Sequence, residues 1–141
     1  MTSRITKESE EHDKIVCLTA RIRFSFPNSQ NPTWKTYTNH PEQTKGVRKG
    51  NDIVYPDIVV VDEPKNTLVM IGEVETSITV SDDEASREWQ NYASLDTPFY
   101  LYVPNDLVAK AKELLNKYKI KITGLRGYFY DAKGELNIQN Q

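Results

Sequence analysis

The succession of apolar patterns along the chain predicts an α/β fold, a central mixed β-sheet flanked by helices. Three observations carry this prediction. Two β-branched runs, Asp57-Ile58-Val59-Val60-Val61-Asp62 and Leu68-Val69-Met70-Ile71-Gly72-Glu73-Val74-Glu75-Thr76, are joined through the turn formers Glu63-Pro64-Lys65-Asn66. A helical stripe precedes this pair, and two further helical patterns follow it, alternating with strand patterns. Alternation of this kind calls for a sheet with helices packed on its faces. At 141 residues, one domain over 1–141 is expected, with a core from about 8 to 130 and a polar tail from 131 to 141.

Taken in order, residues 8 to 24 carry Glu11, Ile15, Leu18 and Ile22 at helical offsets, which predicts a first helix with these positions facing the core. Glu11 heads that stripe. An acid there either favours the positive end of the helix dipole or leans toward a metal site as a further carboxylate. Pro27, Asn28, Asn31 and Pro32 end the helix, and the polar stretch to Gly50 has no sustained period, so it reads as a long loop or irregular hairpin. Within it Trp34, Tyr37 and His40 are interleaved with Lys45, Arg48 and Lys49. Such a segment stacks on bases and pairs with phosphates, or else its aromatic side chains pin the loop to the body.

The strands on either side of Glu63–Asn66 are expected to be antiparallel neighbours, because the connection has hairpin length. Next, Ser81-Asp82-Asp83-Glu84 forms an S-x-x-E capping box before Ala85, Trp89, Tyr92 and Ala93 at helical spacing. Capping and the helix dipole account for Asp82, Asp83 and Glu84 better than metal ligation does. Pro98 to Val103 reads as a strand, and Asp106 to Tyr118 as a helix with Leu107, Ala111, Leu114 and Leu115 inward. Ile120 to Tyr130 reads as a last strand region, and the tail after Gly134 as frayed.

The chemistry is concentrated in three acids. Side chains alternate along a strand, so Val69, Ile71, Glu73 and Glu75 share one face, and an apolar stripe gives way to an acidic one. In the expected hairpin Asp57 falls near the Glu73 end. Clustered carboxylates repel one another unless a cation lies between them, and hard oxygen ligands suit Mg²⁺. Mg²⁺ held by one or two carboxylates usually keeps positions for water and phosphate oxygens, which points to phosphoryl chemistry.

The placement of these residues resembles the PD-(D/E)XK phosphodiesterase superfamily, from about residue 8 to residue 130. Pro56-Asp57 stands as its PD, and Glu73-Val74-Glu75 as its (D/E)-X-K with Glu75 at the lysine position. The resemblance implies a restriction-endonuclease-like fold in the order α-β-β-β-α-β-α-β and a metal-dependent endonuclease that hydrolyses phosphodiester bonds, DNA foremost. It implies Mg²⁺ (or Mn²⁺) on Asp57, Glu73 and Glu75, with Glu11 as the first-helix acid and Glu8 or Glu10 behind it. Gln90, or Arg87, corresponds to the polar residue many members carry on the following helix. The missing lysine leaves three readings: Glu75 itself accepts a proton from water or binds a second ion, Lys49 or Lys45 supplies the charge, or catalysis is lost. In the last case the chain is an inactive module that binds nucleic acid or a protein. A homodimer is expected from the habit of such nucleases of cutting two strands in pairs. In a plainer reading the three acids are strand-end charges on an ordinary α/β domain.

Composition bounds the rest. The net charge of −2 hides a division: residues 14 to 50 hold seven basic side chains against Glu42, and residues 51 to 90 hold ten acids against Lys65 and Arg87. A basic front suits a phosphate backbone, with Lys35, Lys45, Arg48 and Lys49 as the expected contacts, and an acidic centre suits a metal. The single Cys17 forms no internal disulfide, and no apolar run is long enough for a signal peptide or a membrane span. The chain therefore reads as soluble and cytoplasmic, with no membrane partner. Zinc is not expected, because one cysteine and the well-separated His12 and His40 fall short of the usual ligand sets.

Overall fold

Helix α1 (Thr2–Arg23) opens the chain in a computed structural model that describes residues 2–141, with side chains from residue 7 onward. Its buried side is formed by Ile15, Val16, Thr19 and Ala20, and Phe24 continues it just past the helix end. This side is turned from the stripe expected from the sequence. Ile15 belongs to both, but Glu11 and Ile22 are exposed. Since neighbours on a helix face are three or four residues apart, the residue one turn before Val16 is His12. His12, half-buried, therefore occupies the position that Glu11 was expected to hold.

The segment expected to be irregular contains three short strands, β1 (Trp34–Thr38), β2 (Val47–Lys49) and β3 (Asp52–Val54). β2 and β3 pair antiparallel as a small separate ribbon, Val47 opposite Val54, around Gly50 at φ +60, a left-handed backbone that glycine adopts without strain. β1 pairs antiparallel with β4 (Ile58–Asp62), Trp34 opposite Asp62 and Thr38 opposite Ile58. The threonine hydroxyl of Thr36 donates to the carbonyl of Phe24, and the Phe26 and Trp34 rings meet edge to face at 5.0 Å, which ties β1 to the end of α1. Ile58, Val59, Val60 and Val61 are all buried, as in a strand covered on both faces.

The chain divides into two compact units, Met1–Ile71 and Gly72–Gln141, and the division falls within β5 (Thr67–Val74). In the first unit the neighbouring strands run β1, β4, β5. The tight turn Glu63–Asn66 between β4 and β5 requires antiparallel neighbours, since a parallel pair needs a crossover of a dozen residues or so.

In the second unit Ser81 caps a continuous helix made of α2 (Asp82–Glu84), a π-helical turn (Ala85–Trp89) and α3 (Gln90–Ala93). The Glu84 amide donates to the Ser81 hydroxyl at 3.2 Å, as the capping pattern predicts. Ala85, Trp89 and Tyr92 form its buried side. β6 (Phe99–Pro104), a short 3₁₀ turn (Asn105–Leu107) and α4 (Val108–Lys117) lead to β7 (Gly124–Tyr130), which pairs parallel with β6. Val108, Ala111 and Leu114 bury one face of α4. Gly127 lets the 3₁₀ turn lie against β7, because a Cβ there would come within 2.5 Å of the Asn105 side chain.

The tail is ordered. β8 (Leu136–Asn140) pairs antiparallel with β7, Tyr130 opposite Leu136 and Tyr128 opposite Ile138. The order within this unit is β5, β6, β7, β8. Parallel and antiparallel pairings both occur, so the fold class is α/β with a mixed sheet. Among the described residues, no helix is long and apolar enough to cross a membrane.

Candidate metal centre

Asp57 precedes β4, and its segment is fixed by Asn39, the buried residue that follows β1. The Asn39 amide donates to the Asp57 carbonyl at 2.9 Å. The Asn39 carboxamide donates to the carbonyls of Pro56 (2.6 Å) and Lys45 (2.9 Å), and its oxygen accepts the amides of Thr44 (2.7 Å) and Lys45 (2.8 Å). One side chain thus clasps both ends of the loop that carries His40 and anchors it to Pro56-Asp57.

That clasp brings together side chains far apart in the sequence. Asp57 is buried, 4% exposed, with Oδ1 2.8 Å from Nε2 of His40 and Oδ2 3.2 Å from Nε2 of His12. The two imidazoles stand nearly perpendicular, centroids 4.6 Å apart. On their other side lies Asp13, whose Oδ1 is 3.3 Å from Nδ1 of His40 and 3.9 Å from Nδ1 of His12. His12, His40 and Asp57 can each present one ligand atom within 4.8 Å of the others, and all three belong to the first unit. The two histidines, well separated in sequence, are brought beside Asp57 by the fold, in a group that could hold a metal ion. Only a residue pattern spanning the aperiodic loop could have revealed the pairing, and the sequence carries none.

The other expected site residues fall as follows. Glu11 and Glu10 are exposed on α1, whereas Glu8, one turn before His12, is half-buried. In the second unit Glu73 lies on β5, and Glu75 follows it with its amide donating to the Tyr102 carbonyl at 2.8 Å. The Tyr128 hydroxyl donates to the Glu75 carbonyl at 2.5 Å. Both glutamates are 3% exposed. Gln90 is exposed at the start of α3. Arg87 is engaged by Asp83, donating from Nε at 3.0 Å and from a terminal nitrogen at 2.8 Å, and these bonds hold the Asp83 carboxyl below its usual pKa. Lys117 first and Tyr118 second do the same for Asp82. Both aspartates therefore serve the helix and its neighbours, in agreement with the capping pattern.

Two basic residues of the first unit, Lys35 and Lys45, flank the Tyr37 ring. Lys35 is exposed with its ammonium 5.0 Å from the Tyr37 ring centre, and the Lys45 ammonium lies 5.5 Å from it while donating to Asn66 at 2.5 Å. The Tyr37 hydroxyl donates to Glu63, and that carboxylate, with some help from burial, raises the phenol's pKa. Arg48 and Lys49 sit on β2, with Arg48 exposed and Lys49 half-buried opposite Asp52.

No family model matches the chain, and no curated protein and no solved structure matches it.

Proposed function

We propose that this chain is a divalent-metal-dependent endonuclease, hydrolysing phosphodiester bonds in DNA, with Asp57 as the anchor of the ion and the restriction-endonuclease-like order as its framework. The observation that carries the proposal is the burial of the motif acids: Asp57, Glu73 and Glu75 are each at most 4% exposed. Carboxylates are almost never so buried unless paired or coordinating, because desolvation of the charge is costly. Strand-end charges that only discourage aggregation would remain in water, so burial weighs against the plainer reading.

The donor set around Asp57, one carboxylate with two imidazoles, fits a divalent cation. Such an ion supplies neutralising charge at the scissile phosphate and an acidified water. Everything else is the work of the chain itself. Asn39 holds Asp57 in place, the motif resemblance gives Glu75 the role of proton acceptor, and Lys35, Lys45, Arg48 and Lys49 are the expected contacts to the nucleic-acid backbone.

Nicking of supercoiled plasmid with Mg²⁺ or Mn²⁺ tests this. The wild-type chain should cut, Asp57→Asn and Glu73→Gln should fall to background, and Glu75→Gln should lose about 10²–10⁴-fold in rate. Wild-type activity in folded Asp57→Asn would refute the assignment. A second reading, an inactive module that binds nucleic acid or a protein, is favoured by Glu75 at the lysine position. Tight DNA binding with no cleavage under either metal would select it.

A further inference from the structure

We propose that His12 and His40 join Asp57 as ligands of a borderline first-row transition ion of the Zn²⁺ or Co²⁺ class, with Asp13 as the residue that positions the His40 imidazole. The inference rests on Asp57 being a metal ligand, as in the reading above, but not on any cleavage. Its first support is the direction of the rings. Each imidazole turns Nε2 toward Asp57 and Nδ1 toward Asp13, at 2.8 and 3.2 Å on one side and 3.3 and 3.9 Å on the other. Ligating histidines characteristically give their second nitrogen to a carboxylate, which fixes tautomer and ring orientation. Asp13 stands in that place for His40 at 3.3 Å, while its 3.9 Å separation from Nδ1 of His12 is an ion-pair distance rather than a hydrogen bond.

The second support is spacing. Two ligand atoms bound to one ion at about 2.1 Å each lie about 3.4 Å apart in a tetrahedral shell and about 3.0 Å apart in an octahedral one. The 2.8 and 3.2 Å separations between the two Asp57 oxygens and the Nε2 atoms are hydrogen-bond lengths, and all three ligand atoms lie within 4.8 Å of one another, so small side-chain shifts bring them to that edge. The third is the donor chemistry, since imidazole nitrogen suits Zn²⁺, Fe²⁺, Co²⁺ and Ni²⁺, whereas Mg²⁺ prefers an all-oxygen shell rich in water. Three protein ligands leave positions open, as catalytic rather than purely structural sites do. The ion expected from the acids alone was Mg²⁺, and the histidines change that preference.

His12 and His40 are the chain's two histidines, so imidazole bound to an added ion can come from nowhere else in tag-free protein. X-ray absorption of the Zn²⁺-loaded full chain should show outer-shell scattering from two imidazoles per ion, with one ion per chain by calorimetry. His12→Ala and His40→Ala should each leave one imidazole and weaken Zn²⁺ binding at least about tenfold. Asp13→Asn should keep two imidazoles while weakening Zn²⁺ about 10–100-fold, because its effect passes through ring orientation. Absence of imidazole scattering in the wild-type chain, or no stoichiometric Zn²⁺ binding, would overturn the proposal whatever the variants do. A chain that binds Zn²⁺ through two imidazoles but does not cut DNA supports this site and counts only against the nuclease reading.

Discussion

The Asn39 carboxamide uses two N–H groups and two acceptor positions at once, joining Thr44, Lys45 and Pro56 while its own amide reaches Asp57. His40 is the next residue, so its position against Asp57 depends on that clasp. Asn39→Ala strands buried carbonyl and amide groups, and a loss of about 2–3 kcal/mol of stability is expected by denaturant unfolding, together with weaker Zn²⁺ binding. Unchanged values of both would remove Asn39 from the account. At this scale the sequence was informative about the acids and silent about the histidines. Asp57, Glu73 and Glu75 stand in a short motif on two apolar runs. His40 sits in a polar loop without period, and its approach to His12 exists only once Asn39 has folded that loop. The helix face was misjudged by its polar members, since Ile15 lies near the border of two possible stripes and Val16, Thr19 and Ala20 reveal the true one.

Elements with a long apolar period or an explicit cap were legible: α1, β4, β5, the Ser81-capped helix, β6 and α4. Ser81→Ala should cost about 1 kcal/mol in thermal or denaturant unfolding, and a change near zero would mean that the cap contributes nothing. The short strands were not legible, because β1 and β8 are half polar and gain their order from a partner. In β8, Leu136 and Ile138 alternate with Asn137 and Gln139 opposite β7, a pattern too short to stand out. Its turn is tied by Asp131, which accepts the amides of Lys133 (2.9 Å) and Glu135 (3.0 Å) and the Asn137 side chain (2.9 Å). The Glu135 amide first, then Asn137, hold the Asp131 carboxyl below its usual pKa. A depressed folded pKa stabilises the turn fully above the unfolded value of about 4 and loses that effect as pH falls through the lower folded value. Amide protection in β8, corrected for intrinsic exchange, should therefore fall selectively in Asp131→Ala at neutral pH, and in wild type as pH drops below about 4. Uniform exchange across β7 and β8 in the variant would contradict this.

For the chain as a whole, the uneven charge is the feature that bears on a polyanionic partner. The net charge of −2 argues against non-specific binding, and in the proposed reading the basic residues from 14 to 50 offset it. If Lys35 and Lys45 contact backbone phosphates as proposed, Lys35→Ala/Lys45→Ala should weaken DNA binding across sequences and reduce the slope of log K against log salt by about 2. An unchanged slope would move the interface elsewhere. The α/β class was readable from the alternation of patterns. The most direct measurement follows cleavage of a labelled duplex and bound metal on the same samples of tag-free wild type and Asp57→Asn, first stripped by chelator and then resupplied with ion. Wild type should regain both together and the folded variant neither; a variant that cuts, or a stripped wild type that cuts undiminished, would contradict a metal-dependent site at Asp57.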